Sequence, residues 1–94
     1  MATKLVTVSG SAWIPLTTYG QSGSCWLVSN VQGRGSIVVD HSTVSGIDCT
    51  IQKAYPLYRE YGARLAFTAD YLADVYYARC TDNAAWAIIA VDTY

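Results

Sequence analysis

The C-terminal stretch from Asp74 to Tyr94 constrains the fold most. It reads DVYYARC, then TDNAA, then WAIIAVDTY. Two aromatic and β-branched runs flank a short polar turn, the pattern of a β-hairpin whose second strand reaches the end of the chain. The second run is apolar on both of its faces, since Ile89 and Val91 are as hydrophobic as Ile88 and Ala90. A strand apolar on both faces is covered on both faces. In a domain too small for a third layer, the second cover is expected to be another subunit.

Ninety-four residues make one domain, residues 1–94. A chain of this length buries only about 60–65% of the surface its unfolded form exposes. Charged residues are 14% of the chain, against a usual ~25%, while hydrophobic residues are 52%. So few charges cannot cover the surface, and the remainder must be Ser, Thr, Gly and exposed apolar groups. Large apolar patches on small proteins mark contact with a partner, and the eight Tyr and three Trp belong to the residue types enriched there. An obligate assembly is the expected state.

The same composition excludes several classes. A net charge of −1, with six scattered basic residues, argues against nucleic acid, which needs clustered Lys and Arg. The apolar runs fall far short of the ~20 residues of a membrane helix. No basic segment followed by an apolar stretch marks a signal peptide, and Met1-Ala2 reads as a cytoplasmic start. Cys25, Cys49 and Cys80 show no CxxC pairing of the zinc kind. They read as small buried hydrophobes, with a Cys25–Cys80 bridge between strands as the alternative.

Turn signals recur about every eight to twelve residues, as in a sandwich or barrel. Strands are expected over 4–8, 13–17 (edge or bulge, because of Pro15), 25–29, 36–41, 49–53, 54–58 (proline-marked), 64–68, 74–80 and 86–91. Residues 68–80 also fit a helix capped by Thr68. Strand is preferred for 74–80 because Trp86–Val91 needs a partner, with 81–85 as their loop. Alternation places Val6, Val8, Trp13, Trp26, Val28, Ile37, Val39, Ile51, Leu65, Phe67, Val75, Tyr77, Trp86, Ile88 and Ala90 in the core. The expected fold is all-β, a small antiparallel β-sandwich or barrel of about seven to eight short strands.

Reactive chemistry is sparse. Asp40, His41 and Ser42 are consecutive, but adjacent strand residues point to opposite faces, so Asp40 and His41 cannot form a relay. Asp48, Asp70, Asp74, Asp82 and Asp92 mostly fall at turns, which Asp forms through side-chain-to-backbone bonds. Calcium at Asp70 and Asp74, or at Asp82 with Asn83, lacks the dense ligand spacing of a known loop. Gly33-Arg34-Gly35 lacks the lysine and the helix of a phosphate loop. No catalytic, cofactor-binding or metal site is assigned, and no cofactor is expected. Trp13, Trp26 and Trp86 could form a sugar-stacking platform, which keeps a lectin-like carbohydrate-binding β-sandwich as the second functional reading.

Taken together, the Val/Thr/Ser-rich N-terminus, CWLVSN after a Gly/Ser turn, AYPL, DVYYARCTD and the terminal AIIAVD resemble small structural proteins of tailed bacteriophages. Those are short β-sandwich or barrel proteins that decorate or cement capsids, or serve as minor head and tail components. The resemblance implies a non-enzymatic virion protein, made in the host cytoplasm. It also implies a homotrimer that lies over the major capsid protein or other virion subunits and stabilises the shell. No catalytic residue carries over. The expected contact residues, placed in or beside loops, are Tyr55, Tyr58, Tyr61, Tyr71 and Tyr94, with Arg59 and Arg64 pairing with acidic groups of a partner.

Overall fold

The computed structural model describes residues 2–29, 31–33, 35–57 and 64–94. Among them there is no helix, so the helical alternative for 68–80 falls away. Eight antiparallel strands form two four-stranded sheets packed as a sandwich: β1 (Ala2–Ser9), β2 (Ile14–Pro15), β3 (Gly23–Leu27), β4 (Ile37–Ser42), β5 (Tyr55–Leu57), β6 (Leu65–Phe67), β7 (Val75–Cys80) and β8 (Trp86–Thr93). Sheet A has the order β1-β8-β3-β6 and sheet B the order β2-β7-β4-β5.

The C-terminal hairpin expected from the sequence does not form. β8 pairs with β1 and β3 in sheet A, whereas β7 pairs with β2 and β4 in sheet B. Residues 81–85 therefore arch between the layers. The Asp82 side chain accepts from Ala84 N at 2.9 Å and the Asp82 carbonyl from Ala85 N at 3.2 Å, which fixes the bend. Thr81 N then bonds Ser36 O in sheet B, and Ala85 O accepts from Gly10 N in sheet A. The short connection satisfied a hairpin and an arch equally well. Ala78 and Cys80 of β7 and Ala87 and Ile89 of β8 all belong to the single core between the sheets, and burial of these inner faces favours the arch.

The core is built from Val8, Cys25, Leu27, Phe67, Ala87, Ile89 and Val91 of sheet A and Ile37, Val39, Leu57, Tyr76, Ala78 and Cys80 of sheet B, closed by Leu16, Val31 and Ala85. Val6, Ile14 and Leu65 pack at its margin. The expected inward sets for the strands at 4–8, 36–41 and 64–68 are met. Those for β3, β7 and β8 are out of phase by one residue. Trp26, Val28, Val75, Tyr77, Trp86, Ile88 and Ala90 lie on the outer faces, where Val75 and Ala90 are nonetheless buried as expected, while their neighbours turn inward. A one-residue shift exchanges every side chain between faces, and these three strands are apolar on both, so alternation could not fix the phase. The bulky aromatics misled the choice: the narrow inner space takes Cys25, Ala78 and Ala87, all fully buried, in their place.

Residues 49–53 form turns instead of a strand, and Ile51 is partly exposed. The 43–54 segment lies against sheet B and is held by Asp40, a buried carboxylate on that sheet's outer face. Asp40 accepts from Thr50 N at 3.1 Å and pairs with Lys53 Nζ at 2.8 Å. Cys25, Cys49 and Cys80 are buried free thiols, so the alternative Cys25–Cys80 bridge is absent. Gly23 is required where β3 crosses β8, since a Cβ there would sit 1.9 Å from Asp92 O.

Candidate functional surface

Among the described residues, exposed large hydrophobic side chains gather in three places. Val44, Ile47 and Ile51 lie on the 43–54 segment. Tyr19, Tyr55, Tyr71, Leu72 and Tyr94 collect at one end of the sandwich. Leu5, Val28 and Trp86 lie on the outer face of sheet A, beside the half-buried Trp26 and Ile88.

Strand register orders the sheet A face into rows. Trp26, Ala90 and Leu5 are direct cross-strand neighbours, so one apolar row runs from β3 to the free side of β1. Leu5, which ends that row, is 68% exposed. The next row joins Val28, Ile88 and Thr7, with Val28 N bonded to Ile88 O at 3.0 Å. The row on the other side is polar: Ser24, Asp92 and Thr3. Asp92 is buried and accepts a bond from the Thr3 hydroxyl. It also pairs with Arg64 at 3.3 Å, and the Arg64 guanidinium stacks 3.9 Å above the Trp26 ring. Apart from Arg64 and Asp92, which neutralise one another, these rows carry no charge.

The tyrosine-rich end is assembled from loops that the backbone draws together. Tyr94 N bonds Ser22 O, Ser22 Oγ accepts from Ala69 N, and Gly20 N bonds Asp74 O. These contacts bring the chain terminus, the 18–22 loop and the 69–74 turn to the same pole. Leu72 there is 92% exposed. Of the contact residues expected from the sequence, Tyr71 and Tyr94 lie at this pole, and Tyr55 opens β5 on the same side. Arg64 instead belongs to the sheet A face and is engaged within the chain. Tyr58, Arg59 and Tyr61 lie outside the described residues.

The pole also holds a polar cluster that sequence reading missed. His41 Nδ1 lies 3.1 Å from the fully buried Asp74 Oδ1, and the His41 ring is tilted 5.4 Å from Tyr76. Tyr76 stacks on Phe67 at 4.4 Å and donates to Thr68 O at 2.7 Å. Burial, followed by the neighbouring Asp74 charge, pushes the Tyr76 phenol above its ordinary pKa. A recess of about 190 Å³ beside this cluster is lined by His41, Ser42, Thr43, Asp48, Lys53, Tyr71 and Asp74. Ser42 Oγ is occupied there: it accepts from Val44 N and Gly46 N at 3.0 Å, and its bond to Asp48 holds that carboxyl below its ordinary pKa. Its oxygen is thus taken by two loop amides and its proton by Asp48. His41 and Asp74 are far apart in sequence, and no spacing signal joins them.

A larger cleft of about 410 Å³ opens between the β5 and β6 edges, lined by Tyr55, Phe67, Asp70 and Tyr76 among others. The three tryptophans do not make a platform. Trp26 lies under Arg64, and Trp13 has the Arg79 guanidinium 5.6 Å from its ring. Trp86 lies opposite Ser9 on the sheet A face, two rows from Trp26. Among the described residues, no group of three or more His, Cys, Asp and Glu could hold a metal ion.

No protein-family model, curated protein or solved structure matches this chain.

Proposed function

We propose that this chain is a non-enzymatic structural subunit of a phage-like virion, working by self-association and by adhesion to a capsid or another particle surface. The observation that carries the reading is the outer face of sheet A. Leu5, Val28 and Trp86, with the half-buried Trp26 and Ile88, present an apolar surface whose one ion pair among the described residues is internal. Burying such a face at ~25 cal/mol per Å² of apolar area is the main favourable term in association. Obligate interfaces resemble a domain core cut in half. A second contact surface, the tyrosine-rich pole, suits a protein that must hold both a copy of itself and a shell. The resemblance to phage decoration and cement proteins points the same way.

The reading is tested by light scattering over a range of concentrations and by co-sedimentation with purified phage capsids stripped of their decoration. Self-association and particle binding are expected, and both should weaken on Trp86→Ser together with Val28→Thr. A chain that stays monomeric at high concentration and ignores every particle overturns it. The lectin-like reading gives a different result, a glycan-array signal lost in Trp86→Ala.

A further inference from the structure

We infer that β1 is a docking edge for a second copy of this chain, pairing antiparallel with β1 of that copy about a two-fold axis at Leu5, so that the two A sheets join into one. This rests on the self-association proposed above and names its geometry.

The four sheet edges are not alike. Exposed edges template unwanted pairing, and proteins blunt them with short strands, proline or charge. Three edges here are blunted: β2 is two residues long and carries Pro15, β5 carries Pro56, and β6 is three long. The fourth, β1, runs eight residues without proline and carries a single charge, Lys4. Gly10 N bonds Ala85 O, so by strict alternation the even-numbered residues of β1 face β8. The N–H and C=O groups of Thr3, Leu5, Thr7 and Ser9 then point to the open side, where no described segment pairs with them.

Side chains select the occupant and the register. A two-fold axis at Lys4 would set Lys4 against Lys4 of the copy, and like charges directly opposite are destabilising. An axis at Val6 sets Leu5 against Thr7. An axis at Leu5 sets Leu5 against Leu5, Thr3 against Thr7 and Lys4 against Val6. It joins the two Trp26–Ala90–Leu5 rows head to head and places a hydroxyl pair on each side, both favourable cross-strand combinations. About six new backbone hydrogen bonds satisfy the open edge. The apolar row that ends on an exposed Leu5 then continues across the axis. Such a contact is isologous and builds dimers, in place of the trimer that the resemblance implies.

Cysteine cross-linking reads the register. Leu5→Cys is expected to give a covalent dimer on mild oxidation, because facing Cα atoms about 5.5 Å apart suit a disulfide. Thr3→Cys and Thr7→Cys alone should give none, and the Thr3→Cys/Thr7→Cys double variant should cross-link. The native thiols are buried and supply little background. Leu5→Pro removes an N–H that faces away from β8. With unchanged circular dichroism it should weaken self-association at least about tenfold, and Leu5→Lys provides the same test without proline. Cross-linking through Val6→Cys instead, or an oligomer indifferent to Leu5→Pro and Leu5→Lys, overturns the inference while leaving self-association standing. A wild-type chain that is monomeric throughout overturns both.

Discussion

His41 of β4 and Asp74 at the entry to β7 are joined through Nδ1 and Oδ1 at 3.1 Å, and the same carboxylate accepts from Asp70 N at 3.0 Å through Oδ2. Asp74 thereby fastens the 69–74 turn to the end of sheet B. Its carboxylate is wholly buried, and deleting it removes the partner of the Asp70 amide and of the part-exposed His41 ring. Asp74→Ala is expected to cost about 1–3 kcal/mol in urea unfolding. His41→Gln, which leaves the Asp70 bond in place, should cost less. Equal losses from the two would show that the histidine, and not the turn, is what the carboxylate serves.

The phase of β3 has a direct test. Leu27 is buried in the core and its neighbour Val28 is exposed. Leu27→Ala should therefore cost about 2–5 kcal/mol, while Val28→Thr stays within about 0.5 kcal/mol. Thermal or urea unfolding of the two variants decides it, and the opposite order would restore the inward set read from the sequence.

What the sequence could and could not reveal divides along physical lines. The all-β class and most strand positions were legible, because short apolar runs between turn residues have few other solutions. Strand 4–8 could be phased, since Val6 and Val8 alternate with Leu5 and Thr7 and the chain buries Val8 fully. β3, β7 and β8 could not, since CWL, VYYARC and WAIIAV carry apolar groups at both parities. The arch at 81–85 was hidden because sheet membership is a long-range choice that a short loop does not determine. Residues 49–53 alternate like a strand, yet Asp40 draws them into turns by accepting from Thr50 N. His41 was rightly separated from Asp40, but its real partner lies on another strand's approach and left no local trace. The apolar surplus was legible in composition; which face carries it was not.

Gly23 offers a sharper test of strand packing. Its missing Cβ leaves room for Asp92 O at a distance no side chain tolerates, and the neighbour is backbone that cannot swing away. Gly23→Ala should cost about 3 kcal/mol or more, with lost amide protection in β3 and in the C-terminal half of β8. A near-neutral alanine there would mean that the two strands are farther apart than described.

The Asp40 anchor predicts local, not global, loosening. Lys53 is half exposed, so its ion pair is partly screened and worth little beyond about 1 kcal/mol. Asp40 also holds the Thr50 amide, so removing the carboxylate frees the part of the segment around 50–53, while Ser42 still holds Val44 and Gly46. Lys53→Met should leave proteolysis of this segment nearly unchanged, whereas Asp40→Ala should speed cleavage between 43 and 54 before the sandwich unfolds. Equal protease sensitivity in the two variants would move the anchor from Asp40 to the lysine.

The buried thiols give the chain a defined alkaline limit. Burial favours the neutral thiol and pushes Cys25 up to about 12; burial and the Asp40 charge push Cys49 up to about 11. In the unfolded chain both titrate near their ordinary value of 9.0. The folded state thus holds its thiol protons more tightly, and the stability linked to them is complete below about pH 9 and is lost as the pH climbs toward 12. Burial also raises the Tyr76 and Tyr77 phenols, which adds to the loss on the same side. Urea midpoints should be flat from pH 7 to 8.5 and then fall, each fully buried thiol contributing at most about 1.4 kcal/mol per pH unit. Cys25→Ala should flatten that fall even though it lowers stability at pH 7. In the native chain Cys25 should resist Ellman's reagent at pH 8 and react once urea unfolds it. A native Cys25 that reacts at the rate of a free thiol would put it outside the core and remove this limit.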